Sequence, residues 1–109
     1  MNVNALCNIE GFEIINIANP KSEIEGVYIG DLLSRVMARL EENTAWLTIM
    51  SNINILAVSA LKEAAVIILC EGVKVDEDVL FAAKEKEINI LSTPLTAYEA
   101  ALALNRALS

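Results

Sequence analysis

The sequence predicts an α/β fold, a three-layer α/β/α sandwich built on a mostly parallel sheet of about five strands. Three observations point there. Short apolar runs alternate with amphipathic stretches along the chain, the rhythm of βα units. Residues 65–70, Ala-Val-Ile-Ile-Leu-Cys, form a β-rich run without polar alternation, as expected of a central strand buried on both faces. No internal repeat, linker or low-complexity segment breaks the 109 residues, so the elements belong to one domain spanning 1–109. A chain of that length can bury roughly two thirds of its unfolded surface.

Taken in order, residues 4–10 read as a short helix stopped by Gly11, and residues 12–17 as a strand. Ala18-Asn19-Pro20-Lys21-Ser22 has the composition of a turn. Val27-Tyr28-Ile29 is a second strand leading into Gly30-Asp31, where the carboxylate suits an N-cap. Leu32, Leu33, Val36, Met37 and Leu40 then make one apolar stripe of a helix. Residues 45–50 are a strand, and Ser51-Asn52 caps a helix over 53–63. After the central strand Gly72 turns the chain, and Asp76 caps a helix reaching about residue 87. Residues 88–91 form the last strand. Thr93 followed by Pro94 reads as an N-cap with proline in the first helical position, opening a helix that runs nearly to Leu108.

In a parallel sheet the strand ends that precede helices line one edge, where ligands bind. Four such turns gather Asp31, then Ser51 and Asn52, then Glu71 and Gly72, then Ser92 and Thr93. These seven residues are the expected ligand-binding set, ringing a shallow polar groove. Two carboxylates argue against a strongly anionic ligand, whereas helix N-termini after Asn52 and Thr93 favour an anionic group. The balance favours a neutral or zwitterionic ligand or a partner's polar loop. Ordinary caps and turns have the same composition, so the pattern carries little specificity.

Composition removes several classes of function. Net charge is −7 and the isoelectric point about 4.4, with eight scattered basic residues, so neither nucleic acid nor an anionic membrane is an expected partner. Mean hydropathy is +0.48 and 55% of residues are hydrophobic, yet the longest apolar run, 64–70, is far short of the roughly 20 residues of a spanning helix. The Met1-Asn2-Val3-Asn4 start lacks a secretory pattern, and a cytoplasmic location is expected. There is no histidine, which removes the commonest general base and metal ligand. Cys7 and Cys70 lack CxxC spacing and read as reduced, buried thiols. Phosphate loops, GxGxxG, GxSxG and metal-ligand clusters are missing. The acidic groups Glu41-Glu42 and Asp76-Glu77-Asp78 are solvated helix ends. Catalytic residues, metals and cofactors are therefore not expected.

A series of segments carries a family likeness. They are Val27-Tyr28-Ile29-Gly30-Asp31-Leu32-Leu33-Ser34, Trp46-Leu47-Thr48-Ile49, Asn52-Ile53-Asn54-Ile55-Leu56-Ala57-Val58, Glu71-Gly72, and Leu91-Ser92-Thr93-Pro94-Leu95-Thr96-Ala97-Tyr98-Glu99. In this order they make the stretch 24–101 resemble the DRTGG domain. That module occurs in HPr kinases, phosphotransacetylases and CBS-domain pyrophosphatases. The likeness is nearest to short stand-alone members found beside iron-only hydrogenase genes. The chain departs from the family at two places. Ser51-Asn52 stands where Asp-Arg is expected, and Cys70-Glu71-Gly72 where Thr-Gly-Gly is expected. The resemblance implies a fold like the HPr kinase N-terminal domain, self-association, a regulatory role and a link to hydrogenase or energy metabolism in an anaerobe. It implies no kinase activity, because the phosphate loop belongs to another domain.

Surplus apolar faces also predict a homodimer. Phe81 points away from the Val79, Leu80 and Ala83 face of its helix, and Leu95, Tyr98 and Leu102 form a second stripe beside Ala97, Ala101, Leu104 and Leu108. Phe81, Leu95, Tyr98 and Leu102 are the expected interface, and the helix over 53–61 is apolar nearly all round. Two readings of function follow. One is a non-catalytic regulatory or ligand-sensing module that binds a small molecule or a partner enzyme. The other is a small enzyme or nucleotide-binding protein using carboxylates and helix N-termini at the carboxyl edge of the sheet.

Overall fold

The computed structural model describes residues 1–108. In chain order it contains α1 (Val3–Cys7), β1 (Glu13–Asn16), β2 (Gly26–Ile29), α2 (Leu33–Arg39), β3 (Thr44–Thr48), α3 (Asn54–Lys62), β4 (Val66–Leu69), α4 (Glu77–Glu85), β5 (Ile90–Ser92) and α5 (Ala97–Leu108). The strands form one sheet in the order β1-β5-β4-β3-β2. From β2 to β5 all neighbours are parallel, while β1 runs antiparallel on the outer edge of β5, with an irregularity between Ile14 and Asn16.

Alternation along each strand divides the core in two. Ala45, Leu47, Val66, Ile68 and Leu91 face one side, where α1 and α5 bring Val3, Leu6, Ala100 and Leu104. Trp46, Ile67, Leu69 and Ile90 face the other, where Val36 of α2, Ile55 and Leu56 of α3, and Val79 and Ala83 of α4 cover them. Every residue of β4 is buried, because the strand is central and helices cover both faces. The crossovers from β2 through α2, α3 and α4 to β5 all step in one direction across the sheet. A single crossover hand therefore puts the three helices on the same face.

The edge opposite the carboxyl ends is pinned by a buried asparagine. Asn89 accepts hydrogen bonds from the backbone N–H groups of Ala18 (2.8 Å) and Asn19 (2.9 Å). Its amide donates to the carbonyls of Asn19 (2.9 Å) and Ala65 (3.0 Å). One side chain thus ties the β1–β2 connection to β4 and β5.

Three expected caps differ from the structure. Asp31 does not cap α2, whose N-cap is Leu32 without a side-chain bond. Asn52 stands one residue before the N-cap of α3, and its side-chain Oδ1 accepts from the N–H of Asn54 at 2.9 Å. Thr93-Pro94 does not open the last helix. Instead α5 begins at Ala97 with a reciprocal capping box, in which the Thr96 N–H donates to Glu99 (3.0 Å) and the Glu99 N–H to the Thr96 hydroxyl (3.2 Å). Two apolar stripes were also read too wide. Leu32 and Met37 on the α2 stripe, Ile53 at the N-cap of α3 and Leu61 within α3 are exposed, because each helix packs by one side only. Among the described residues no helix is long and apolar enough to cross a membrane.

Candidate functional site

The carboxyl ends of β2, β3, β4 and β5 form one edge, and every expected site residue lies there, Ser92 as the last residue of β5 and the others in the turns that leave the strands. They do not make one groove. The β2 and β3 ends are sealed to each other. The Asp31 carboxylate accepts from the Thr48 hydroxyl at 2.7 Å and from the Ile49 N–H at 2.8 Å, while the Met50 N–H donates to the same hydroxyl at 3.1 Å. Asp31 is therefore a clasp between turns. Asn52 is exposed and Ser51 half-buried beside it, and Asn52 spends its side-chain oxygen on the start of α3.

Cys70 follows β4 and donates its N–H to the Thr48 carbonyl at 2.9 Å. Burial above all, and the charges of Asp31 and Glu71 after it, push its thiol up to about 11. Both charges act on a buried, protonated thiol, which is not a nucleophile. Burial also pushes the Cys7 thiol up, and both cysteines are free.

The next turn is tight. The Val73 N–H donates to the Cys70 carbonyl at 3.3 Å, with Glu71 at φ +58° and Gly72 at φ +71° in the two central positions. Two positive φ values in succession define a type I′ geometry that favours glycine at both places. The Glu71 N–H donates to the Leu95 carbonyl (2.8 Å) and the Gly72 N–H to the Thr93 carbonyl (3.0 Å), so these amides are not an open cradle for an anion.

These bonds join the β4–α4 and β5–α5 loops where the loops part company. After β4 the chain crosses to the face of α4, and after β5 to the face of α5. Divergence of neighbouring loops leaves a crevice beyond the carboxyl ends of an α/β sheet. Here the crevice is a cavity of about 440 Å³ displaced toward β1, lined by Glu13, Ile14 and Ile15, by Gly72, Val73, Lys74 and Val75, and by Leu80, Ser92, Thr93 and Pro94. Of the expected residues it takes Gly72, Ser92 and Thr93. It leaves out Asp31, Ser51, Asn52 and Glu71.

The expected polar character is also corrected. Aliphatic side chains make most of the wall, and Thr93 is buried, with its hydroxyl accepting from the Leu95 N–H at 3.2 Å. Sequence reading missed Glu13, Ile14, Ile15 and Lys74. The β1 residues reach this corner only because β1 pairs with β5, placing Glu13 opposite Ser92, and no local signal announces a pairing between strands so far apart. Lys74, two residues beyond Gly72, was within reach of inspection of the turn.

Other concavities lie elsewhere. A groove of about 650 Å³ runs along the free edge of β2 beside Tyr98, Ala101, Leu102, Asn105 and Leu108 of α5. Tyr98 (70% exposed) and Leu102 meet here as expected. Phe81, 58% exposed, sits on α4 across the sheet, and Leu95 is half-buried against the α5-side core. The four expected interface residues therefore do not share one surface. A polar depression beside the amino-terminal end of the same edge strand, β2, is lined by Glu25, Arg39, Glu41 and Glu42, away from the carboxyl ends of the strands. Among the described residues no cluster of His, Cys, Asp or Glu is suited to holding a metal ion.

A protein-family model described as "DRTGG domain" matches residues 6–107. Among solved structures the chain is similar to the CBS and DRTGG domains of the regulatory region of Clostridium perfringens pyrophosphatase complexed with activator, diadenosine tetraphosphate. The TM-score is 0.62 at 17% identity, over 82% of this chain and 39% of that one. The chain thus spans well under half the length of that solved region, and the likeness is one of fold. No curated protein matches the sequence.

Proposed function

The chain belongs to the DRTGG domain family, and on that premise we propose that it is a non-catalytic regulatory module that senses a small ligand and works as a homodimer. The observation that carries the reading is the cavity at the divergence of the β4 and β5 loops, where an α/β fold of this order offers its ligand site. The solved regulatory region that shares the fold is complexed with an activator, which supports a ligand-responsive role without transferring that ligand to this chain. The amides of Glu71 and Gly72 are already bonded within the chain, and net charge is −7, so a polyphosphate is a poor fit. The enzyme reading has less support, since Asp31 is committed to Thr48 and Ile49 and the neighbouring thiol is protonated.

Self-association draws on the open edge of β2, whose unpaired backbone groups invite another strand, and on the uncharged α5 stripe beside it. A setting beside a partner enzyme in the hydrogenase-linked energy metabolism of an anaerobe is part of the same proposal, and the resemblance to stand-alone family members supports it. The test is a ligand screen by thermal shift over nucleotides, amino acids and organic acids, followed by amide chemical-shift mapping. A hit should move Gly72, Ser92 and Thr93. A screen in which no compound moves them would end the ligand-sensing reading.

A further inference from the structure

We propose that the cavity between β1 and the β4–α4 loop takes a small zwitterion with an apolar side chain, of the chemical class of an aliphatic α-amino acid. The inference rests on the ligand-sensing reading above and adds the ligand's chemistry. About 440 Å³ lies at the small end of ligand pockets, which span about 300–1,000 Å³. Ile14, Ile15, Val73, Val75, Leu80 and Pro94 supply hydrocarbon walls, so the favourable contribution comes from burying an apolar body.

The walls carry one charge of each sign, Lys74 from the loop and Glu13 from the end of β1. Neither has an ion-pair partner among the described residues, and they are not within ion-pair distance of each other. Each is therefore free to meet a ligand charge, with the Ser92 hydroxyl between the two elements as a further polar contact. The surroundings decide against a ligand of single charge. Glu71 precedes the loop and Asp76, Glu77 and Asp78 follow it at the start of α4, so a bare carboxylate gains from Lys74 but enters an acidic field. A bare ammonium gains from Glu13 and meets Lys74 at once. A zwitterion satisfies both wall charges and brings no net charge into that field.

The test uses the full chain with L-leucine, and with 4-methylpentanoate and isopentylamine as the forms lacking the amine or the carboxylate. Leucine should move the amides of Ile14, Val73 and Ser92. Because both wall charges are exposed, Lys74→Met and Glu13→Gln should each weaken leucine about threefold. Loss of the amine should cost the wild type a similar factor and cost Glu13→Gln nothing further. The exposed positions keep the unliganded melting temperature unchanged, which separates lost binding from lost folding. Leucine that leaves those amides unmoved, or binds both variants as it binds the wild type, overturns the proposal. If a nucleotide or organic acid moves them instead, this inference falls and ligand sensing stands; if no compound does, both fall.

Discussion

Asp31 and Thr48, seventeen residues apart, are joined by a 2.7 Å hydrogen bond from hydroxyl to carboxylate that closes the β2 end of the sheet onto the β3 end. The same carboxylate oxygen accepts from the Ile49 N–H, and the Thr48 side chain is buried. Asp31→Ala leaves that hydroxyl and amide short of an acceptor, at a cost of about 2 kcal/mol. Asp31→Asn keeps an acceptor oxygen and should lose about half as much. Urea denaturation of the two variants checks the order; equal losses would show that the clasp contributes nothing specific.

Glu71 bears the strain of the turn that joins the two diverging loops. At φ +58° a side chain is held where glycine is at ease. Asn43, Glu63 and Glu87 also have positive φ, but Glu63 ends α3 and Glu87 follows α4, as helix C-termini allow. The family resemblance expects glycine at position 71. Glu71→Gly should therefore stabilise the protein by about 1 kcal/mol, read as a higher urea midpoint with an unchanged slope. A lower midpoint would mean that the carboxylate holds the turn by a contact of its own.

Cys70 sets a pH dependence. Its thiol is pushed up to about 11 from an ordinary 9.0. Above pH 9 the unfolded chain releases the proton more readily than the folded one, so the unfolded state binds fewer protons and stability falls as pH rises. The contribution is whole below pH 9 and lost between about 9 and 11, amounting to roughly 2–3 kcal/mol. In Cys70→Ala that share of the alkaline loss should vanish, leaving a flatter stability profile over the same range. A thiol reagent at pH 8 should modify Cys7 first, since Cys70 is inaccessible. A variant as steep as the parent would sink the assignment.

The proposed dimer separates residues that the sequence grouped together. Tyr98→Glu or Leu102→Glu puts a charge into the groove beside β2 and should give a monomer of 11.8 kDa by light scattering, where the parent gives twice that mass. Phe81→Glu alters the opposite face and should leave the dimer intact. Dissociation by Phe81→Glu alone would move the interface to α4.

The legible parts of the molecule are those governed by neighbours in the chain. An unbroken apolar run marked β4 as central, and strand–helix alternation marked a parallel sheet, because a strand covered on both faces needs no polar side and a parallel crossover needs a helix. Gly72 announced its turn for an equally local reason. Asp31 was placed at the right edge but given the wrong task. From sequence a carboxylate before a helix reads as a cap, whereas the folded chain brings a buried hydroxyl within reach and that partner wins. Asn89 was passed over inside a strand because its four backbone partners come from two distant segments.

By itself, then, the sequence determined the layer architecture, the parallel run of strands and the edge at which their turns collect, since periodicity of three to four or of two residues encodes burial directly. Only the tertiary structure decided that β1 lies against β5, that the edge divides into a sealed clasp at Asp31 and an open cavity at Gly72, Ser92 and Thr93, and that Glu13 and Lys74 face the same space. Those outcomes depend on hydrogen bonds and packing between segments whose separation along the chain leaves no periodic trace.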